Sequence, residues 1–337
     1  MDSPTDPIYD RVIGTLYGVA IGDAMGMPTT FLSREDIKER YGHVDGFLEA
    51  PSESSVHSRM GMAEYTDDTE LTFALAKTII RRRRVDPAEV ASELVRWADR
   101  HDILNTTLIG PSTRAAIEGL KRGLPYTVTG KNGTTDGCAM KISPVAIFDV
   151  FAPDEKAVND VIRACLPSHN TAIAVSGASA LCFGVRKCLS GDRDTGSIVR
   201  AALAGARAGA EAMGDPASSI GPRIQAAISL AQDQTGWEKF LDALYDFLIE
   251  PRGALTQDAV PAAVALFARS GGDFRDCVLM ACNLGGDADT IGAMAGAMAG
   301  AYAGYKLIPY DWIEAVDMAS KDDIVGIGAG LLDALRI

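Results

Sequence analysis

Glycine recurs at every fourth position along two stretches that otherwise read as helices, and no other feature limits the fold as tightly. Gly14, Gly18 and Gly22 form one stripe, with Asp23 at its end; Gly292, Gly296, Gly300 and Gly304 form the other. Residues four apart share a helix face, and each glycine costs a helix roughly 1 kcal/mol against alanine. Close approach of another backbone is the usual compensation. If the stripes pack on each other antiparallel, the C-terminal end of the first helix meets the N-terminal end of the other. Asp23 then comes near Asp287 and Asp289. The alternative is that each stripe packs on a different helix, and spacing alone does not choose.

The helical period runs through nearly the whole chain. Asp86 and Pro87 read as N-cap and first helical residue, with Val90, Ala91, Leu94, Val95 and Ala98 following at helical spacing. Comparable stretches cover residues 9–22, 68–83, 112–122, 154–165, 171–189, 196–213, 216–233, 237–249, 257–269, 273–283, 290–305, 310–319 and 323–335. Alternation long enough for a sheet is missing, apart from a candidate strand at 44–48. No low-complexity linker or fixed repeat divides the chain, so one all-α domain over 1–337 is expected.

Charge and composition exclude several classes. The 32 basic and 45 acidic residues give −13, which argues against nucleic-acid and anionic-membrane partners. The basic run at 81–84 ends a helix, where cations complement the macrodipole and a solvated end accounts for them. No transmembrane span is expected; 291–305 reads as the most apolar segment and is short and rich in Ala and Gly. The N-terminus shows no secretory signal. The six cysteines, at 138, 165, 182, 188, 277 and 282, have no zinc spacing, and buried free thiols in a reducing cytoplasm are expected.

Chemistry concentrates in two short clusters. Asn283-Leu-Gly-Gly-Asp287-Ala-Asp289-Thr290 sets two carboxylates and a hydroxyl after two glycines and before an Ala/Gly-rich helix. Thr66-Asp67-Asp68 has the same make and precedes another helix. Each cluster alone is explained by N-capping. Together they offer hard oxygen donors of the kind Mg²⁺, Mn²⁺ or Ca²⁺ prefers. Four or five converging carboxylates would repel strongly unless cations neutralised them, and a shared carboxylate could bridge two ions. Two long loops, 42–66 with its two histidines and 123–144, are expected to be functional or mobile. The first is read as a lid; a ligand that left its protease sensitivity unchanged would count against that. Gly130-Lys131-Asn132-Gly133 is a weak candidate for a diphosphate loop, since turn chemistry explains it equally well.

With these residues in view, Gly22-Asp23-Ala-Met-Gly26-Met-Pro28, Thr66-Asp67-Asp68-Thr69 and Gly285-Gly-Asp287-Ala-Asp289-Thr290 resemble the ADP-ribosylglycohydrolase family, in the same order, over residues 10–305. That family includes the dinitrogenase reductase-activating glycohydrolases. The resemblance implies an all-α, orthogonal multi-helix bundle with a binuclear metal cleft holding two Mg²⁺ or Mn²⁺ ions. It implies hydrolysis of the N- or O-glycosidic bond at C1″ of an ADP-ribosyl group. By position, Thr66, Asp67 and Asp68 would bind one ion, Asp287 and Thr290 the other, and Asp289 would bridge them. Residues 136–144 resemble the family's ribose-pocket segment, which makes Gly137 and Met140, with Gly133, candidate substrate contacts. Residues 168–170 resemble its Thr-His segment, with His169 touching substrate or supporting those that do.

Three positions depart from the pattern. Thr30 stands where many members carry a glutamate implicated in catalysis or in gating the metals, and a threonine cannot act as a base near neutral pH. Asp136 stands where asparagine is common, and Lys141 replaces arginine. Asp136 or Asp23 is then the candidate to orient or deprotonate the attacking water. The partner is expected to be an ADP-ribosylated protein or a small ribosyl substrate, acted on by a monomer or small homo-oligomer in the cytoplasm. The rival readings are a hydrolase of a smaller ribosyl N-glycoside or nucleoside, and a non-catalytic metal-binding member. A dinucleotide-binding oxidoreductase is excluded, because no strand–Gly-x-Gly-x-x-Gly–helix unit exists.

Overall fold

The computed structural model describes residues 7–52, 56–58, 60–106, 108–233, 236–249 and 253–335. Among them are 17 α-helices and no strand. Those that build the site and its framework are α1 (Pro7–Gly26), α2 (Asp67–Arg82), α3 (Pro87–Arg100), α4 (Ala172–Leu189), α5 (Thr195–Ala212), α6 (Thr256–Arg269), α7 (Phe274–Cys282) and α8 (Ala288–Ala303). They share one contiguous hydrophobic core.

The two glycine stripes pack on each other, and antiparallel. A Cβ at Gly18 would lie 2.1 Å from Gly296 O, one at Gly22 2.0 Å from Gly292 O, and one at Gly14 2.5 Å from Gly300 O. Such contacts are possible only where both helices lack side chains, so the stripes set the register of α1 against α8. Gly26 continues the seam beside Ala288. The end of α1 thereby reaches the start of α8, and the rest of the site is assembled at that junction.

Several expectations need correction. Residues 44–48 form no strand; the Asn283 side chain takes the place of a neighbouring strand, accepting from Val44 N–H at 2.9 Å and donating to Val44 O at 2.7 Å. A helix at Arg34–Tyr41 has no apolar periodicity because Ile37 and Tyr41 are its only hydrophobic residues; a capping box between Ser33 and Asp36 starts it. Cys138 and Cys165 are not free thiols but a disulfide, Cα–Cα 5.6 Å, which pins the loop before Ser143 to the end of the helix Asp154–Cys165. Their 27-residue separation carries no local signal. The other four cysteines are buried and free, and burial pushes the Cys277 thiol up to about 12. α4, rather than 291–305, has the length and composition to cross a membrane, with mean hydropathy 1.4; 83 % of it is buried within the fold, as a central core helix requires. Of the basic run, Arg81 and Arg82 pair with Glu89 and Glu93 of α3.

Candidate active site

The site begins with Asp23, which the α1–α8 seam places in the interior. Its two oxygens accept Thr66 N–H at 3.0 Å each, and one also accepts Thr69 N–H at 3.0 Å and the Thr69 hydroxyl at 2.6 Å. A carboxylate from one helix thus caps another, fixing the N-terminus of α2 with Asp67 and Asp68 in its first turn. Burial, then the charges of Asp68 and Asp289, push the Asp23 carboxyl well above its ordinary range. Its oxygens are committed to α2, and Asp23 does not line the adjoining cavity.

The Gly285–Gly286 turn, both glycines at positive φ, presents the second cluster. A segment directly after α1 clasps it from below. The Thr29 hydroxyl donates to Cys282 O at 2.7 Å, Phe31 N–H to Gly286 O at 2.6 Å, and Gly286 N–H to Leu32 O at 3.1 Å. The guanidinium of buried Arg34 donates to Asn283 O. Thr30 belongs to this clasp: its hydroxyl accepts Asp289 N–H at 3.1 Å, the first turn of α8. The position that the family resemblance marks for a glutamate is here occupied by a cap.

Between the clusters lies a cavity of about 270 Å³. Asp67, Asp68, Asp136, Asp287 and Asp289 all line it, with Thr290 and His57; Phe31, Leu108, Ile109 and Met140 form an apolar wall. Within the first cluster the Asp68 carboxylate accepts from the Thr66 hydroxyl at 3.0 Å, and Thr290 of the second cluster is near enough to favour its charged form. Burial, then Asp289, pushes Asp68 up to about 7. Asp67 is held well above its ordinary value by burial and then Asp68, Asp136 by burial and then Asp68, and Asp287 by burial and then Asp136. Asp136 and Asp287 bear directly on each other's charge, as two neighbouring carboxyl groups that a proton or a cation would relieve. Asp289 is the exception. Burial works against its charge, but a hydrogen bond from His57 and that residue's charge outweigh it and hold Asp289 below its usual value.

His57 is a site residue that the sequence does not single out. Its Nε2 lies 2.9 Å from Asp289 Oδ2, and it is buried. Along the chain it is only one of two histidines in the 42–66 loop, and nothing in a separation of 232 residues links it to Asp289. Residues 53–55 and 59 of that loop lie outside the described residues.

The expected substrate contacts divide. Gly137 and Met140 line the cavity; Gly133 and His169 do not. His169 is fully buried behind the wall, with Nε2 3.0 Å from the Thr135 hydroxyl and Nδ1 2.8 Å from Ser168 Oγ. Burial, and then the Lys141 charge, pushes it well below the usual histidine range, so it is a neutral brace. Gly130 and Gly133 are glycines because a Cβ would lie 2.4 Å from Leu166 O and 2.2 Å from Ser168 O; backbone contact explains them without a diphosphate. Lys141 is buried beside Ser168, and burial lowers it to about 8.

Among the described residues, no three His, Cys, Asp or Glu side chains stand together as a ready-made metal site. The donors nevertheless fit a hard divalent cation. They are carboxylate and hydroxyl oxygens, and Asp68 Oδ1 and Asp136 Oδ2 are buried in the cavity wall without a partner. Such orphaned acceptors are costly unless something positive completes them.

The all-helical scaffold carries a carboxylate-lined cavity at the meeting of two helix starts. The ADP-ribosylglycohydrolase family model matches residues 4–336, and the chain belongs to that family. It is 31 % identical over 287 residues to the uncharacterized protein YegU of Escherichia coli K12, covering 85 % of each chain. It is 29 % identical over 314 residues to the ADP-ribosylarginine hydrolase Tri1 of Pseudomonas putida, covering 91 % of this chain and 74 % of that one. A solved structure of an ADP-ribosylglycohydrolase-related protein complex superposes with a TM-score of 0.69 at 25 % identity, over 98 % of this chain and 99 % of the other. The protein is thus a hydrolase of ADP-ribosyl linkages, in a metal-dependent family.

Proposed function

We propose that the protein hydrolyses the glycosidic bond at ribose C1″ of an ADP-ribosyl group carried by a protein side chain, with two divalent cations, Mg²⁺ or Mn²⁺, in the cavity. One observation carries the reading: two hydroxyl-and-carboxylate clusters from opposite ends of the chain meet in one buried cavity, with unpartnered oxygens on Asp68 and Asp136. Thr66, Asp67 and Asp68 would hold one cation, Asp287 and Thr290 the other, and Asp289 both. The cations, when bound, supply Lewis acidity and offset the carboxylate charge.

The chain's own residues then divide the remaining work. Asp136 lines the cavity and its Oδ2 is buried without a partner, so Asp136 is assigned to orient a water and take its proton as the water attacks C1″. The C1″–leaving-group bond breaks with its electron pair going to the leaving atom, which is then protonated. Asp23 acts as a positioning residue, since its oxygens already hold the start of α2. Gly137 and Met140 shape the wall against the sugar. Asp136→Asn is expected to lower kcat by about 10²-fold or more while cation binding survives; full activity in that variant would remove the role. His57→Ala is expected to weaken cation binding about tenfold in calorimetry, with His57→Gln partly restoring it.

The linkage is proposed from the relative named for ADP-ribosylarginine, which points to an arginine-linked substrate. A smaller ribosyl N-glycoside or nucleoside, which presents the same ribose to the cavity, is the second reading. The deciding experiment is a Mg²⁺- and Mn²⁺-dependent release assay over ADP-ribosylarginine, ADP-ribosylserine, ADP-ribose derivatives and ribonucleosides. Release of ADP-ribose with loss on chelation is expected. No release from any of them would leave a non-catalytic, cation-binding protein.

A further inference from the structure

Phe31 stands at the cavity in a conformation that phenylalanine rarely takes. Its φ is +62°, in the left-handed region, where a bulky side chain is strained and glycine is not. The residue is 50 % exposed, and among the described residues it belongs neither to the hydrophobic core nor to an aromatic pair. The clasp under the Gly-Gly turn explains the backbone: Phe31 N–H donates to Gly286 O at 2.6 Å and Leu32 N–H to Thr29 O at 3.0 Å. Both are main-chain bonds that a glycine would make without strain. The fold therefore uses the backbone at this position and has no use for the ring. Phe31 instead lines the cavity, as do Leu108, Ile109 and Met140 and the carboxylates. Strained backbone that packing holds in place concentrates at ligand-contacting positions.

We propose that Phe31 is the leaving-group subsite, and that the substrates are ribosyl N-glycosides whose leaving group is flat and delocalised, a guanidinium or a heterocyclic base. A ring face accepts either by stacking, and a guanidinium adds cation–π attraction. A serine hydroxyl linkage offers no plane to stack. The acidic residues that line the same cavity favour a cationic leaving group further, and the guanidinium departs carrying the proton that balances the added water. The proposal rests on the hydrolytic reading above and narrows its substrate.

Phe31→Gly separates the ring's role from the backbone's. Its melting temperature is expected to equal or exceed that of the natural protein, because the strain is relieved. Its kcat/KM for an ADP-ribosylated guanidine is expected to fall about tenfold, mainly through KM. Phe31→Tyr, which keeps the plane, should recover most of the kcat/KM that Phe31→Gly loses. Inhibition by the product ADP-ribose, which lacks the leaving group, should not change. A purine ribonucleoside run in parallel distinguishes a base from a guanidinium by which one the natural protein turns over and Phe31→Gly loses. Unchanged kinetics in Phe31→Gly overturns the assignment. So does an equal loss for ADP-ribosylserine or for ADP-ribose inhibition, which would place the ring on the shared ADP-ribosyl part. A lower melting temperature with a uniform loss would make Phe31 structural and overturn it too. A natural protein that turns over none of these substrates overturns the hydrolytic reading itself, and the subsite with it.

Discussion

Asp289→Asn is expected to abolish cation binding and to lower turnover by about 10³-fold, the scale on which loss of one fixed electrostatic group in an active site acts. Asp289 is the carboxylate on which the cavity converges. Its charge bears on Asp23, Asp67, Asp68, Asp136 and Asp287. It is also the one cavity carboxylate held below its usual value, by His57, Thr30 and the Thr290 backbone N–H against the effect of burial. An ionised oxygen ligand is therefore prepared before any cation arrives. Asparagine keeps the shape and loses the charge that two cations would share. Calorimetry with Mg²⁺ and Mn²⁺ tests binding, and thermal unfolding tests its linkage to folding. At a hundredfold excess over Kd the natural protein should gain about 2.7 kcal/mol, and the variant nothing. Undiminished binding and turnover in Asp289→Asn would end the two-cation reading.

Gly18→Ala is expected to destabilise the protein by about 3 kcal/mol, at the upper end of ordinary overpacking. Helix propensity predicts the opposite sign, a gain of about 1 kcal/mol. Packing wins because the added Cβ would sit 2.1 Å from Gly296 O, and a backbone carbonyl inside a helix cannot turn aside as a flexible side chain does. Relief requires α1 and α8 to separate, which also moves Asp23 away from α2 and Asp289 away from Asp68. Urea unfolding should show the lowered stability, and cation affinity should fall with it. Gly46→Ala is the control, since nothing lies within 4 Å of its would-be Cβ and little change is expected. Equal stability of Gly18→Ala and the natural protein would mean that the seam is looser than its contacts indicate.

Much of the fold is legible in the amino-acid sequence. Helix positions follow from apolar spacing, because the side chains that must face a core recur at the helical period. The polar helix Arg34–Tyr41 escapes for the same reason: it has no such stripe, and only Ser33 and Asp36 mark its start. Both acidic clusters can be read locally, since a hydroxyl and two carboxylates within four residues are unusual at a helix start. The roles of their neighbours cannot. Asp23 has the chemistry of a base, yet the fold commits its oxygens to the start of α2. His169 has the chemistry of a substrate contact, yet it supports the loop from behind the wall.

The division follows from the reach of the forces involved. Within a few residues, the sequence determined the helical class, the glycine seam as a surface seeking close contact, and the oxygen-rich ends of α2 and α8. Those are properties of covalently neighbouring groups, and spacing expresses them. Only the tertiary structure decided that the two stripes choose each other, that Thr30 and His57 hold Asp289 from two sides, and that Phe31 is left strained beside the cavity. It decided also that Cys138 meets Cys165. Each of these joins groups far apart in the chain, brought together because one packing arrangement buries the core without clashes, and no local pattern encodes that choice.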